Sequence, residues 1–155
     1  MAVMRRQDSM DDGIIDQKLN RCFYTSYADM NEVLNRFVKE AGKSNIWVSV
    51  EAADLRENRM GHGLCELVSM ALDTAKENCI DTTPPRGRYI KIRSREMQQQ
   101  MLIRIQFSCE DRMIREFDKS IVRMRELLES AGGYLKIQLI DDTGNIKIAI
   151  PDSPV

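Results

Sequence analysis

The sequence predicts an α/β (α+β) two-layer sandwich, a mixed sheet of about five strands with three helices on one face. Three observations predict it. Apolar residues recur at helical spacing in three segments, and short alternating runs lie between them. The elements also come in a telling order: helix, strand, helix, two strands, helix, two strands. Strict strand-helix alternation would build a parallel sheet, whereas paired strands beside single helices call for a mixed one.

Residues 1–26 read as a polar tail followed by a short helix. Ser9 could cap that helix, and Ile15, Leu19, Cys22 and Phe23 would share its face. From Tyr27 the pattern sharpens. Met30, Val33, Leu34, Phe37, Val38 and Ala41 form one amphipathic stripe, with Gly42 as the stop. "NIWVSVEA" follows, where Ile46, Val48 and Val50 alternate against Trp47, Ser49 and Glu51 as a half-buried strand. Trp47 is read as a packing residue rather than a platform for a ligand.

Leu64, Leu67, Val68, Ala71, Leu72 and Ala75 make the second helical stripe, entered through "GHGL" and broken by the consecutive prolines of "IDTTPPRG". Tyr89 to Arg93 and Leu102 to Phe107 then alternate as two strands joined by "REMQQQ". Phe117, Ile121, Met124, Leu128 and Ala131 mark the third helix, closed by Gly132-Gly133. "YLKIQLI" and "NIKIAI" finish the sheet, with the glycine of "DDTGN" expected to supply a tight turn. The domain is thus assigned to residues 27–151, and 152–155 to a tail. Leu67, Leu72, Phe37, Ile105, Leu128 and Ile137 are the expected core.

The 155 residues carry a net charge of −1, with 43% hydrophobic and 30% charged residues. No overall field draws such a chain to nucleic acid or anionic lipid, and neither is expected as a partner. Basic clusters such as Arg86-Gly87-Arg88 and Arg93-Ser94-Arg95 read as solvated faces. No run reaches the roughly 18 apolar residues of a membrane span, so no membrane contact is expected of this chain. Cys22, Cys65, Cys79 and Cys109 are widely spaced and lack a Cys-x-x-Cys pair, and His62 is the one histidine. Reduced thiols, no metal site and a cytoplasmic setting follow.

"NEVLNRFVKEAGKSNIWVSVEA", "LCELVSMALDTAKEN" and "MRELLESAGGYLKIQLIDDTGNIKIAIP" together resemble the nucleotide-binding domain of the GHKL superfamily. The nearest likeness is to the ATP-binding domain of quorum-sensing-type sensor histidine kinases. The resemblance spans residues 27–151 and implies the histidine-kinase-like ATPase (Bergerat) fold. It also implies where a nucleotide would sit, and there the sequence departs from the family. Met70 stands where the second helix should present an asparagine to the magnesium on the ATP phosphates. A thioether is a soft, weak donor, whereas Mg²⁺ demands hard oxygen ligands. Glu66, one turn earlier, matches the position of the water-activating glutamate of the ATPase branch, but without a placed metal and phosphate it has nothing to act on.

The first glycine box is replaced by "FSCEDR", in which Ser108 or Glu110 could only partly imitate the adenine-binding aspartate. The second is replaced by "DKSI", which contains Ser120 and sets Asp118 against an anionic triphosphate. Only the ten residues from Cys109 to Asp118 stand where the family carries a long lid. Gly61-His62-Gly63-Leu64 has the spelling of a glycine box but precedes the wrong helix, so it reads as a turn, and His62 is not a phosphoacceptor.

Glu66, Met70, Asp73, Ser108, Glu110 and Ser120 therefore form a vestigial nucleotide pocket, with no catalytic residue expected. The expected function is a degenerate histidine-kinase-like ATPase domain, without cofactor, that binds or regulates a protein partner or a second copy of itself in bacterial signalling. Two alternatives stand beside it: a divergent kinase domain that still binds ATP with magnesium, and a dimeric scaffold with no signalling role.

Overall fold

Two asparagines one helical turn apart decide how the chain enters the domain. In the computed structural model, which describes residues 14–16, 21–80, 82–110 and 119–151, helix α1 spans Ala28–Lys43. Strands β1 (Ile14–Asp16) and β2 (Arg21–Phe23) pair antiparallel ahead of it. Asn35 reaches back to β2, accepting the Cys22 N–H at 2.9 Å and donating to the Cys22 carbonyl at 2.6 Å. Asn31 does the same for the next turn, accepting the N–H groups of Tyr24 (3.0 Å) and Thr25 (2.9 Å) and donating to the Thr25 carbonyl at 2.8 Å. These bonds fix the chain's approach to α1, whose N-cap residue Tyr27 makes no side-chain capping bond.

They also account for a correction. The helix expected ahead of residue 27 is absent at 14–16 and 21–23, which are extended. A lone helix of under about 12–15 residues is marginal in water, whereas the extended chain has its polar backbone groups met by Asn35 and by β1. Ser9 and Leu19 lie outside the described residues.

The main sheet has the order β3-β4-β5-β7-β6, where β3 is Trp47–Glu51, β4 Tyr89–Met97, β5 Gln100–Ser108, β6 Tyr134–Ile140 and β7 Thr143–Pro151. β3 runs parallel to β4, as the intervening crossover helix α2 (His62–Cys79) requires, and the other pairs are antiparallel. The three helices, α3 being Lys119–Ser130, lie on one face of this mixed sheet, as expected. All six residues of the α2 stripe are fully buried, together with Ile90, Ile92, Ile105 and Phe107 from the strands. Phe37, Leu67, Leu72, Ile105 and Leu128 are buried as expected. Ile137 is only half-buried, because β6 is an edge strand and α3 covers it incompletely. Phe117 lies outside the described residues.

Turn chemistry departs from the sequence expectation in three places. Gly42 stays inside α1, and the left-handed residue that ends the helix is Asn45 at φ 60°. The β4–β5 strands run on past Arg93 to a two-residue turn at Gln98 and Gln99, both at positive φ, where asparagine-glycine would be usual. That extension is braced from the side. Arg56 holds the Glu96 carboxylate through both guanidinium nitrogens, and Asp54 accepts the Glu96 N–H at 3.2 Å. At the β6–β7 hairpin, Asp141 (φ 55°) makes the turn, and Gly144 sits inside β7. A Cβ there would lie 2.3 Å from the Phe107 ring.

Gly132-Gly133 closes α3 as expected, by a Schellman motif. Gly133 N–H bonds the Leu128 carbonyl at 2.8 Å and Gly132 N–H that of Glu129 at 3.1 Å. Gly132 takes φ 76°. Gly133 is required for a separate reason, since a Cβ would lie 2.4 Å from the Ala149 carbonyl oxygen.

These contacts set two expectations. Leu67→Ala and Leu128→Ala should each cost about 2–5 kcal/mol in urea unfolding, as for other fully buried leucines. An unchanged midpoint for either would contradict the assigned faces. Gly133→Ala and Gly144→Ala should destabilise by about 1–3 kcal/mol through overpacking. Gly42→Ala, helical and with open space around it, should instead stabilise by about 0.5–1 kcal/mol. Thermal melts of the three glycine variants that failed to split in sign would refute this account.

Candidate functional site

Helix α2 carries three of the six residues of the expected site. Its apolar stripe faces the sheet, so Glu66, Met70 and Asp73, spaced i, i+4 and i+7, share the opposite edge. The helix opens on Gly61, at φ 57° and with no side-chain cap, which matches the reading of "GHGL" as a turn. The Tyr27 hydroxyl donates to the Gly61 carbonyl at 3.4 Å and accepts from the Cys65 thiol at 3.5 Å, tying the start of α1 to the start of α2. The hydrogen bond with Cys65, and then burial, raise the Tyr27 hydroxyl above its ordinary pKa. Burial likewise raises the Cys65 thiol, against the opposing effect of that hydrogen bond. Both groups are therefore held neutral, and a protonated thiol is a poor nucleophile.

Met70 is half-buried and packs against the core. Glu66 is exposed and accepts a charged hydrogen bond from Arg123 Nε on α3 at 3.3 Å, bridging the two helices. Asp73 is exposed and faces away from that seam. It lines a concavity of about 190 Å³ between α1 and α2 with Arg36, Phe37 and Lys76. A shared helical edge thus does not become a shared site, because Glu66 meets α3 while Asp73 lines the groove toward α1.

Ser108 ends β5 and is buried. Its Oγ lies 3.2 Å from Cys79 Sγ, and it accepts from Thr82 Oγ1 at 3.1 Å and from the Tyr89 N–H at 3.2 Å. Burial pushes the Cys79 thiol up, with the Ser108 hydrogen bond opposing it. Glu110 is exposed and accepts from the Thr83 N–H at 3.2 Å and the Thr83 hydroxyl at 3.3 Å. Ser120 is half-buried in the first turn of α3, and Asp118 lies outside the described residues. The structure brings Ser108 and Glu110 together against the Thr82-Thr83 turn, sets Glu66 against α3, and leaves Asp73 apart.

Arg123, Thr82 and Thr83 complete these contacts and were not singled out in the sequence, and Cys79 was read there only as a reduced thiol. Nothing in their spacing could have found them, since each meets its partner across elements. Of the residues that the resemblance assigns to nucleotide, Met70 offers a thioether, Glu66 is paired with Arg123, and the Ser108 hydroxyl is engaged by three neighbours. Among the described residues, no group of three or more His, Cys, Asp or Glu is placed to hold a metal ion. No helix among them is long and apolar enough to cross a membrane, and all four cysteines are free.

Comparison with solved structures finds the same fold in histidine kinases. The histidine kinase domain of the blue-light activated histidine kinase from Erythrobacter litoralis EL346 is similar with a TM-score of 0.64 and 17% identity, over 79% of this chain and 59% of that one. The Acinetobacter baumannii histidine kinase AdeS gives a TM-score of 0.63 at 11% identity, over 82% and 64%. The catalytic domain of the histidine kinase ThkA gives 0.61 at 19%, over 83% and 94%. This chain therefore spans less than two thirds of the first two, and nearly all of the third. No curated protein sequence matches it. A family model described as the GHKL domain matches residues 62–151, more than half of the chain and the stretch that carries α2, α3 and four of the five main strands. With the histidine-kinase-type sandwich around that stretch, the chain belongs to the GHKL domain family.

Proposed function

We propose that this GHKL domain has exchanged Mg-ATP chemistry for a binding or regulatory role in bacterial signal transduction, in the cytoplasm, through a protein partner or a second copy of itself. The observation that carries the reading is the edge of α2. Met70 occupies the metal-facing position and leans on the core, while Glu66, one turn before it, is committed to Arg123 at 3.3 Å. A general base that is ion-paired and has no placed metal cannot position a water for attack on a phosphate. "FSCEDR" and "DKSI" support the same reading, because neither offers the glycines that let a backbone approach phosphate. The ordinary free thiols fit a reducing compartment.

One observation favours the divergent ATP-binding alternative. Arg123 places a cation at the α2–α3 seam, where a phosphate could draw it from Glu66. Charge-assisted hydrogen bonds are worth about 1.5–3 kcal/mol each, so one arginine does not make up for a metal ligand and two glycine loops.

Isothermal titration of the full chain with Mg-ATP and Mg-ADP tests the proposal. No saturable heat is expected at ligand concentrations up to about 100 µM, a range ordinary for nucleotide sites. Met70→Asn alone should not restore binding, since the phosphates would still lack their loops. Saturation below that concentration in the unaltered protein would overturn the proposal in favour of the ATP-binding reading. Light scattering tells a monomer from a dimer, and a monomer would exclude the dimeric-scaffold alternative.

A further inference from the structure

Among the described residues, none forms a covering layer on the sheet face opposite the helices, and the composition of that face is one-sided. Counting outward-facing positions along the five main strands gives six cations, Lys91, Arg93, Arg95, Arg104, Lys136 and Lys147, against one carboxylate, Glu51. The chain as a whole is at −1, so the rest of the molecule is net acidic. Four of the cations stand directly opposite one another in register: Arg93 faces Arg104, Arg104 faces Lys147, and Lys147 faces Lys136. Like charges directly opposite destabilise a sheet. Glu51 meets only the end of the row, 2.9 Å from Arg93, and Arg104 turns its Nε to the neutral Asn145 at 3.1 Å.

The adjacent row is different. Arg95 faces Leu102, Leu102 faces Ala149, and Ala149 faces Tyr134, which is 58% exposed. The two rows enclose a groove of about 570 Å³ with an aliphatic floor and a cationic wall.

We propose that this open face is a docking surface for an acidic, amphipathic segment of a partner protein, a proposal that rests on reading the domain as a binding module. Strands lie about 4.8 Å apart, so the cation row from Arg93 to Lys136 runs about 14 Å. An extended segment of four or five residues covers that length, at about 3.3 Å per residue. Alternating side chains then face opposite ways, and a slight roll sets carboxylates on the cation row and apolar groups on Leu102, Ala149 and Tyr134. Charge complementarity supplies specificity and on-rate, while the apolar row supplies buried area.

Single-stranded nucleic acid fits less well. Such sites stack successive bases on several aromatic rings, whereas among the described residues Tyr134 is the only ring lining this groove and Trp47 lies outside it. The net negative charge also opposes long-range attraction of a polyanion.

The test is fluorescence anisotropy of the full chain with a labelled peptide of alternating glutamate and leucine. The same peptide with glutamine in place of glutamate, and labelled oligo(dT), serve as the other probes. Saturable, salt-sensitive binding of the acidic peptide is expected, weakened at least tenfold in the double variant Arg104→Gln/Lys147→Gln. Lys39→Gln/Lys43→Gln, which removes the same charge from exposed α1 positions, should bind as the unaltered protein does.

The sheet double variant should also melt about 1–3 °C higher, because it relieves opposed charges, so lost binding could not be lost folding. A lower melting temperature would assign the row to the fold and overturn the proposal. So would absence of saturation at about 1 mM peptide, equal loss in the α1 variant, tighter binding of oligo(dT), or a dimer abolished by the sheet variant. None of these outcomes bears on nucleotide binding, which is read by a separate titration.

Discussion

The structure depends on the burial of one stripe of helix α2. Leu64, Leu67, Val68, Ala71, Leu72 and Ala75 are all withdrawn from solvent, and α2 alone touches both other helices and the central strands. Burying apolar area at about 25 cal/mol per Å² is the main force available to a domain of this size. The crossover from β3 to β4 runs through this helix, so the same burial fixes the one parallel pair of the sheet. The glycines near its neighbours serve the same end. Gly133 and Gly144 let β7 approach the end of α3 and the Phe107 ring without a Cβ in the way.

A helix held by one face leaves its other residues free to change. In the GHKL family that freedom carries the nucleotide chemistry, and here the same positions hold Glu66, Met70 and Asp73. Of the three only Met70 departs from what the resemblance implies, and none belongs to the fully buried stripe. Glu66 has become half of an inter-helix ion pair, of a kind worth about 0–1 kcal/mol when exposed. Ser108 has become an internal acceptor for Thr82 and the Tyr89 backbone, and its bond to Cys79 knits the end of α2 to β5. Ser108, the buried member of the set, has its partners within the protein, as buried polar groups must.

The two faces of the sheet obey different constraints. The covered face is aliphatic because it must pack. The open face has no packing demand, yet it gathers six cations and a line of apolar side chains around Tyr134. Trp47 stands there too, 48% exposed at the β3 edge on the face its alternation with Val48 gives it, and is not packed as expected of it. No described helix lies on that side.

The sequence by itself determined the architecture. Apolar spacing of 3.6 and 2 residues marked α1, α2, α3 and the main strands, and the proline pair and Gly132-Gly133 marked where helices end, because these signals are local. The reading of Met70 at the family's metal position rests on resemblance along one helix, which is likewise a local signal. The sequence misjudged the segment ahead of residue 27, where Asn31 and Asn35 hold the chain extended through contacts that periodicity does not report. It misplaced turns at Gln98-Gln99 and Asp141, whose backbone is set by strand register rather than by glycine. Only tertiary structure decided that Glu66 meets Arg123 while Asp73 faces another groove. It alone aligned Arg93, Arg104, Lys147 and Lys136 in one row. Those four are scattered over 55 positions of the chain, and strand pairing, a long-range choice, is what makes them neighbours.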